Sequence, residues 1–300
     1  MAGAHVLTEE QKTMRRGGIG GSEVAAILGL NPFMSAIDVW LSKVEGFETE
    51  VTSHMERGIY LEDGVARWYA AKTGTEVREV GTLRHPSRER ILCTPDRIWN
   101  NAQGQSRLLS IKVPGNWLSE EWGEPHAWRC PTGYYVQLQY EMLVCRALGL
   151  CLTDFAHLAA PLAGNLEILT VEGDERVQER LAEEVEAWWA KHIDGREAPP
   201  LDGSKSAKEW LGRRFPVSDH PMRAATPAED VLALQLQEAE AACEATDAVY
   251  ELARQRVQEA IGPAEGIEGP FGRVTFKANK NGVRSLRTAW KSNPAEEKAA

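Results

Sequence analysis

Arg90-Ile91-Leu92-Cys93-Thr94-Pro95-Asp96 and Leu108-Leu109-Ser110-Ile111-Lys112-Val113 are the two stretches on which the reading of this chain turns. Arg90–Thr94 and Leu108–Val113 are short and rich in branched residues. The run from Asn100 to Gly104 between them has turn chemistry, so they are predicted to be neighbouring antiparallel strands. Asp96 then sits at the end of one strand and Lys112 lies on the next. Side-chain alternation puts Ser110 and Lys112 on one face. A carboxylate and a lysine converging at one sheet edge can hold a divalent cation and polarise an attacking water. The same spacing also arises in surface pairs that do nothing, so the neighbouring words have to decide.

Working outward, the elements alternate between helical and extended periods. On the N-terminal side, Ser22 reads as an N-cap for a short helix bearing Val24, Ile27 and Leu28 and ended by Gly29. Further helices are predicted over Ser35–Val44 and His54–Thr73, stopped by Gly46 and Gly74, with a strand over Glu76–Leu83. On the C-terminal side come a helix over Tyr134–Ala147, strands near Asp154–Ala159 and Leu166–Val171, and a helix over Glu175–His192. This order predicts an α/β (α+β) domain with a mixed central sheet flanked by helices.

A composition break at Ala198-Pro199-Pro200 through Ser204 marks the expected edge of that domain, giving 1–204 and an appendage, 205–300. Thr226-Pro227-Ala228-Glu229 combines a capping box with a first-turn proline, and starts an acidic helix expected to reach Ala260. Phe271–Lys291 carries six basic residues and no acidic one, and reads as two strands turning at Lys280-Asn281-Gly282. Helix and hairpin are expected to form a separate lobe, the hairpin touching DNA backbone or the acidic helix. The helix's apolar positions Val231, Leu234, Val249 and Leu252 are too sparse for a long coiled coil.

Composition narrows the class. With 43% hydrophobic and 26% charged residues in 300, the chain reads as a soluble globular protein. No apolar run approaches the roughly 18 residues of a membrane span, and the first residues lack a signal-peptide core, so a cytoplasmic place, in a bacterial or phage-infected cell, is expected. Cys93, Cys130, Cys145, Cys151 and Cys243 are odd in number and form no CxxC pair, which suits a reducing compartment and argues against a zinc knuckle. Dispersed histidines argue against zinc, and the missing GxxxxGK[ST] word argues against ATP hydrolysis. A net charge of −10 is the wrong sign for a simple nucleic-acid-binding module, though a nuclease needs only local positive charge. Most tryptophans read as core; Trp117, Trp122 and Trp128 are candidates for a DNA-facing loop.

Arg15-Arg16-Gly17-Gly18-Ile19-Gly20-Gly21-Ser22-Glu23-Val24 resembles the opening motif of YqaJ-type viral recombinases. Gly58-Ile59-Tyr60-Leu61-Glu62, Thr94-Pro95-Asp96, Ile111-Lys112 and Tyr135-Val136-Gln137-Leu138-Gln139-Tyr140 resemble the family's remaining core motifs in order. The resemblance runs from about Arg15 to Ser204 and takes in phage lambda exonuclease and the wider PD-(D/E)xK nucleases. It implies a restriction-endonuclease-like core and a Mg²⁺- or Mn²⁺-dependent exonuclease that resects double-stranded DNA from 5′ ends. It also implies work beside a single-strand-annealing recombinase, in a homotrimeric ring. Carried over by position, it makes Glu62 and Asp96 metal ligands, joined by the backbone carbonyl of Ile111. Lys112 would orient or deprotonate the water, and Gln139 would contact the site from behind. Arg15 and Ser22 would anchor a 5′-phosphate.

One position departs. The family carries an acid two residues before the lysine, and here that residue is Ser110, a neutral hydroxyl and a poor ligand for a hard cation. Four explanations stay open: an acid that has migrated from elsewhere, a sparse one-metal site, a dead site that still binds DNA ends, or an engineered substitution. Glu141 is the nearest acid in a matched motif, but standing two residues from Gln139 on a helix it is expected to face elsewhere. The alternatives to an active nuclease are a catalytically impaired DNA-end-binding protein on the same fold and an interaction protein working through the acidic helix.

Overall fold

The structure is a computed structural model and describes residues 9–47, 52–115, 120–218, 221–280 and 282–290. Trp117, Asn281 and Lys291 lie outside the described residues. The chain divides into two units, residues 1–217 and 218–300.

The first unit opens with four helices, α1 (Glu9–Arg16), α2 (Gly21–Ile27), α3 (Ala36–Val44) and α4 (Ser53–Thr73). Ser35 caps α3 in a reciprocal box with Asp38, and Gly74 closes α4 in the left-handed region at φ 68°. Strands β1 (Glu76–Arg78), β2 (Leu83–Arg84), β3 (Leu92–Cys93), β4 (Arg97–Asn100) and β5 (Ser106–Ile111) follow. Then come α5 (Thr132–Ala147), β6 (Phe155–Leu162), β7 (Asn165–Glu172), α6 (Glu175–Trp189) and α7 (Lys205–Arg214).

The central sheet has the order β1-β4-β5-β6-β7, antiparallel except for the parallel β5–β6 pair that α5 connects. It is therefore a mixed sheet flanked by helices. The expected partner of β5 needs correction. Arg90–Thr94 contributes β3, which pairs with β2 in a separate ribbon, while the neighbour of β5 is β4, with Ile98 opposite Leu108. Asp96 thus stands at the entrance to β4 rather than at the end of the preceding strand.

Alternation along these strands sorts the core into two layers. Ile98, Leu108, Leu158 and Ala160 pack with Leu138, Met142 and Cys145 of α5. Trp99, Leu109, Ile111 and Ala159 pack on the other face with Val65, Ala66 and Tyr69 of α4. A third cluster joins α2 to α5 and α6 through Val24, Ala25, Tyr140, Leu181 and Val185. Here residues 17–21 are clamped: Ile19 donates to Arg90 O and accepts from Leu92 N and from the Tyr140 hydroxyl. The division between the units falls later than the composition break because α7 seals the first one, its Trp210 meeting Trp40 edge-to-face at 5.5 Å.

In the second unit α8 (Pro227–Ile261) is followed by β8 (Gly266–Gly269), β9 (Gly272–Ala278) and β10 (Arg284–Trp290), an antiparallel three-stranded sheet in the order β10-β9-β8. The expected hairpin is β9–β10; β8 adds a third strand that carries little strand signal, because two glycines bracket its Ile-Glu core. β8 and the residue before it supply acids to the basic strands: Arg273 bonds Glu268 at 2.9 Å and Lys277 bonds Glu265 at 2.6 Å. Along α8, Val231, Leu234, Val249 and Leu252 are exposed. Among the described residues no helix is long and apolar enough to cross a membrane.

Two stability effects follow from this packing. His157 of β6 stacks on Trp99 at 4.8 Å and meets the Tyr69 hydroxyl at 2.7 Å, and burial, helped by Arg107, pulls its pKa down to about 4. The imidazole is therefore neutral in the fold but takes a proton in the unfolded chain below about 6.5. Stability from this site is complete above that value and drains away as pH falls toward 4. Thermal midpoints should drop over this window, and His157→Gln should shrink the drop; equal drops would refute the assignment. A Cβ on Gly18 would lie 2.6 Å from Arg90 O, whereas one on Gly64, inside α4, meets open space. Gly18→Ala should therefore lower stability by about 1–3 kcal/mol in urea unfolding, and Gly64→Ala should raise it by up to about 1 kcal/mol.

Candidate active site

The β4–β5 pairing brings Asp96, Ser110 and Lys112 together. Asp96 Oδ2 accepts hydrogen bonds from the Ile111 backbone N–H at 2.6 Å and from Ser110 Oγ at 3.0 Å, and Lys112 Nζ stands 3.9 Å away. Both bonds land on Oδ2; Oδ1 accepts none among the described residues. The hydroxyl at position 110 is therefore a donor to the neighbouring carboxylate. Ser110 and Lys112 continue the Leu108 side of β5, the face covered by α5, as alternation requires.

Glu62 approaches from α4, on the other face, and is held there by Arg97. Arg97 Nη1 bonds Glu62 at 2.7 Å, and the same guanidinium bonds Asp63, lies 3.4 Å from Glu79 and donates to the Asp96 backbone carbonyl. The guanidinium is almost fully buried, while its carboxylate partners stand partly open to solvent. It fixes the α4 carboxylates beside the start of β4.

The contribution of α5 differs from the expectation in two residues. Gln139 is turned away from Asp96 and Lys112: its Nε2 donates to Glu172 O at 2.6 Å, and its Oε1 accepts from Asp174 N at 2.9 Å and Gln178 Nε2 at 3.2 Å. It braces the β7–α6 turn, beside an open cleft of about 680 Å³ lined by Cys130, Tyr135 and residues 170–176. Glu141, expected to face elsewhere, faces the site. Successive helix residues turn by about 100°, so Glu141 shares a face with Gln137 and with Tyr134, and Gln139 lies opposite. Gln137 Nε2 donates to Glu141 Oε1 at 2.8 Å, and the Tyr134 ring lies 5.2 Å from Lys112 Nζ. The signal that could have found Glu141 is this helical spacing counted from Gln137 instead of from Gln139.

The charges of these groups act on one another. Burial alone would depress the Lys112 ammonium, but Asp96 and then Glu141, Tyr134 and Glu62 outweigh it and hold its pKa above the ordinary value. Burial and the charge of Asp96 push Glu141 above the usual carboxylate range, against the pull of Lys112 and the Gln137 hydrogen bond. Among the described residues no three His, Cys, Asp or Glu side chains stand close enough to make a ready metal cage.

The opening motif is built as support. Ser22 lies inside the first turn of α2; the N-cap is Gly20, whose N–H donates to Glu23 Oε2 at 2.7 Å. The cap shifts because the Glu23 carboxylate reaches back to that N–H. Lys43 then closes the motif, bonding Glu23 at 2.8 Å and Arg15 O at 2.8 Å, and burial lowers its pKa despite Glu23. Trp122 is buried in the α5 layer, and Trp128 packs against that layer.

Comparison with known proteins agrees with this architecture. The family model of the YqaJ-like viral recombinase domain matches residues 10–154. The protein YqaJ of Bacillus subtilis is 26% identical over 285 residues, 92% of this chain and 81% of its own. Among solved structures, the alkaline exonuclease LHK-Exo from Laribacter hongkongensis superposes with a TM-score of 0.50 at 22% identity, covering 69% of this chain and 97% of that one. LHK-Exo in complex with dAMP gives 0.51 at 20% identity over the same shares. The likeness to those structures is one of fold. Over residues 10–154, then, this chain is similar to the YqaJ-like viral recombinase domain family.

Proposed function

We propose that this chain is a divalent-metal-dependent DNA exonuclease that resects double-stranded DNA from 5′ ends, leaving a 3′ single strand for recombination. The observation that carries the reading is the convergence of Asp96 and Lys112 at one end of β5, with Glu62 locked nearby, in a fold shared with exonucleases.

The donors suit a hard cation. They are oxygens only, from Asp96, Glu62 and the Ile111 carbonyl, and Mg²⁺ is commonly held by one or two carboxylates with water completing its shell. Asp96 and Glu62 would hold Mg²⁺ or Mn²⁺. When bound, such an ion polarises a phosphoryl oxygen and lowers the pKa of its water. Lys112 stays protonated at neutral pH, so its role is to orient the water and to stabilise charge developing on the phosphate. Ile111 N–H and Ser110 Oγ fix the Asp96 carboxylate by donating to Oδ2. Arg97 does the same for Glu62. Arg15 and Ser22, next to the buried Glu23–Lys43 pair, are proposed to anchor the 5′-phosphate. Action in the cytoplasm beside a single-strand-annealing recombinase, and assembly as a homotrimer, complete the proposal.

Ser110 favours a second reading, a catalytically impaired DNA-end-binding protein, because the position offers no carboxylate. Digestion of 5′-phosphorylated linear duplex separates the two. We expect 3′ single strands to accumulate with Mg²⁺ or Mn²⁺ and to vanish with EDTA. Asp96→Asn and Lys112→Ala should each lower the rate by about a hundredfold or more while end binding persists. Binding without cleavage by the unaltered protein would select the second reading, and unchanged cleavage in either variant would refute the site.

A further inference from the structure

We infer that Glu141 supplies the carboxylate missing at position 110, and that it shares a divalent cation with Asp96 beside Lys112. The inference rests on the nuclease reading above. No acid stands at position 110, yet the site is not short of an acid on that side of the sheet.

Geometry gives the reason. Position 110 lies on the face of β5 that α5 covers, so a side chain there and one on the inner face of α5 address the same space. Glu141 is on that inner face and is 2% exposed. Gln137 donates to its Oε1; Oε2 accepts no hydrogen bond among the described residues. Tyr134, seven residues before Glu141 and so on the same face of α5, brings its ring to 5.2 Å from Lys112 Nζ, which turns that face toward the Asp96–Lys112 end of β5. A carboxylate buried in this way, with Gln137 its one hydrogen-bond donor among the described residues, is unfavourable for packing alone. A glutamine would fill the same volume without the charge. A divalent cation between the two acids removes the repulsion and uses the free oxygens.

The chain also makes room for Glu141. A Cβ on Gly21 would lie 2.7 Å from Glu141 Oε1, 3.1 Å from its Cγ and 3.2 Å from Gln137 Cγ. The first turn of α2 is therefore pressed against the carboxylate, and glycine is the residue that admits it. Ser110, small and donating to Asp96, leaves the facing space to Glu141.

The test is Mn²⁺ binding by the full-length protein without DNA, followed by isothermal titration calorimetry. Metal-free thermal melts establish that each variant is folded. Glu141→Gln should weaken Mn²⁺ binding by about tenfold or more, and the paired change Ser110→Glu with Glu141→Gln should restore it. Glu141→Asp, which keeps the charge but withdraws it by one methylene, should weaken binding less than Glu141→Gln. If Glu141→Gln binds Mn²⁺ as tightly as the unaltered protein while Asp96→Asn does not, Glu141 is no ligand and the nuclease reading survives. A folded double variant that binds no better than Glu141→Gln also overturns the exchange. No Mn²⁺ binding by the unaltered protein would overturn both readings together.

Discussion

A lysine ammonium placed where α5 covers the end of β5 has to be surrounded by negative charge, and most of the site's architecture follows from that constraint. Burial works against the charge on Lys112, and Asp96, Glu141 and Glu62 restore it from three different elements. Asp96 comes from the entrance to β4, where the backbone N–H of Ile111 pins it one residue from the lysine. Glu62 comes from α4 through the Arg97 clamp. Glu141 comes from α5, set by Gln137. Strand pairing sets Asp96 beside the lysine, and helix placement sets Glu62 and Glu141 on either side of the sheet.

The two faces of the sheet divide the labour. On the α4 side one arginine serves three acids: Arg97 engages Glu62, Asp63 and Glu79. On the α5 side Asp96 and Glu141 face a single lysine. Acid exceeds base on both faces; on the α5 side the excess lies beside Lys112, where the proposed cation would sit. A nuclease with its acid two residues before the lysine puts the same excess on the same face, because positions 110 and 112 share it. Moving the acid from strand to helix keeps the charge of the site while changing the backbone that delivers it.

Much of this was legible in sequence and some was not, for identifiable reasons. The sheet, its helices and the Asp96–Lys112 meeting follow from period-2 runs, caps and turn chemistry, which act locally. β4 escaped because Arg97-Ile98-Trp99-Asn100 is four residues long and buries an arginine, so the run before Thr94 looked like the stronger neighbour for β5. Ser22 read as a cap, but Glu23 reaching back to Gly20 shifts the helix start to Gly21. Gln139 and Glu141 were assigned to the wrong sides of α5. The rule that residues two apart on a helix face apart held; which of them faces the sheet depends on the roll of the helix. That roll is set by Leu138, Met142 and Cys145 packing on β4–β6, a tertiary fact no local window contains.

The same electrostatics bear on how a chain with net charge −10 meets a polyanion. In the basic C-terminal strands, Arg273 and Lys277 are paired with Glu268 and Glu265, whereas Arg284 donates to the backbone carbonyls of Phe276 and Gly262. Without a cation, the site offers a phosphodiester Lys112 surrounded by carboxylates, and repulsion opposes entry. A divalent ion reverses the local sign, because two positive charges placed against Asp96 and Glu141 leave Lys112 uncompensated. In such a site cation and DNA bind cooperatively: each removes the electrostatic cost that the other would meet alone. On the proposed function, an acidic protein with a buried acidic site would thereby confine its affinity for nucleic acid to the place, and the ionic condition, in which the phosphodiester can be cut.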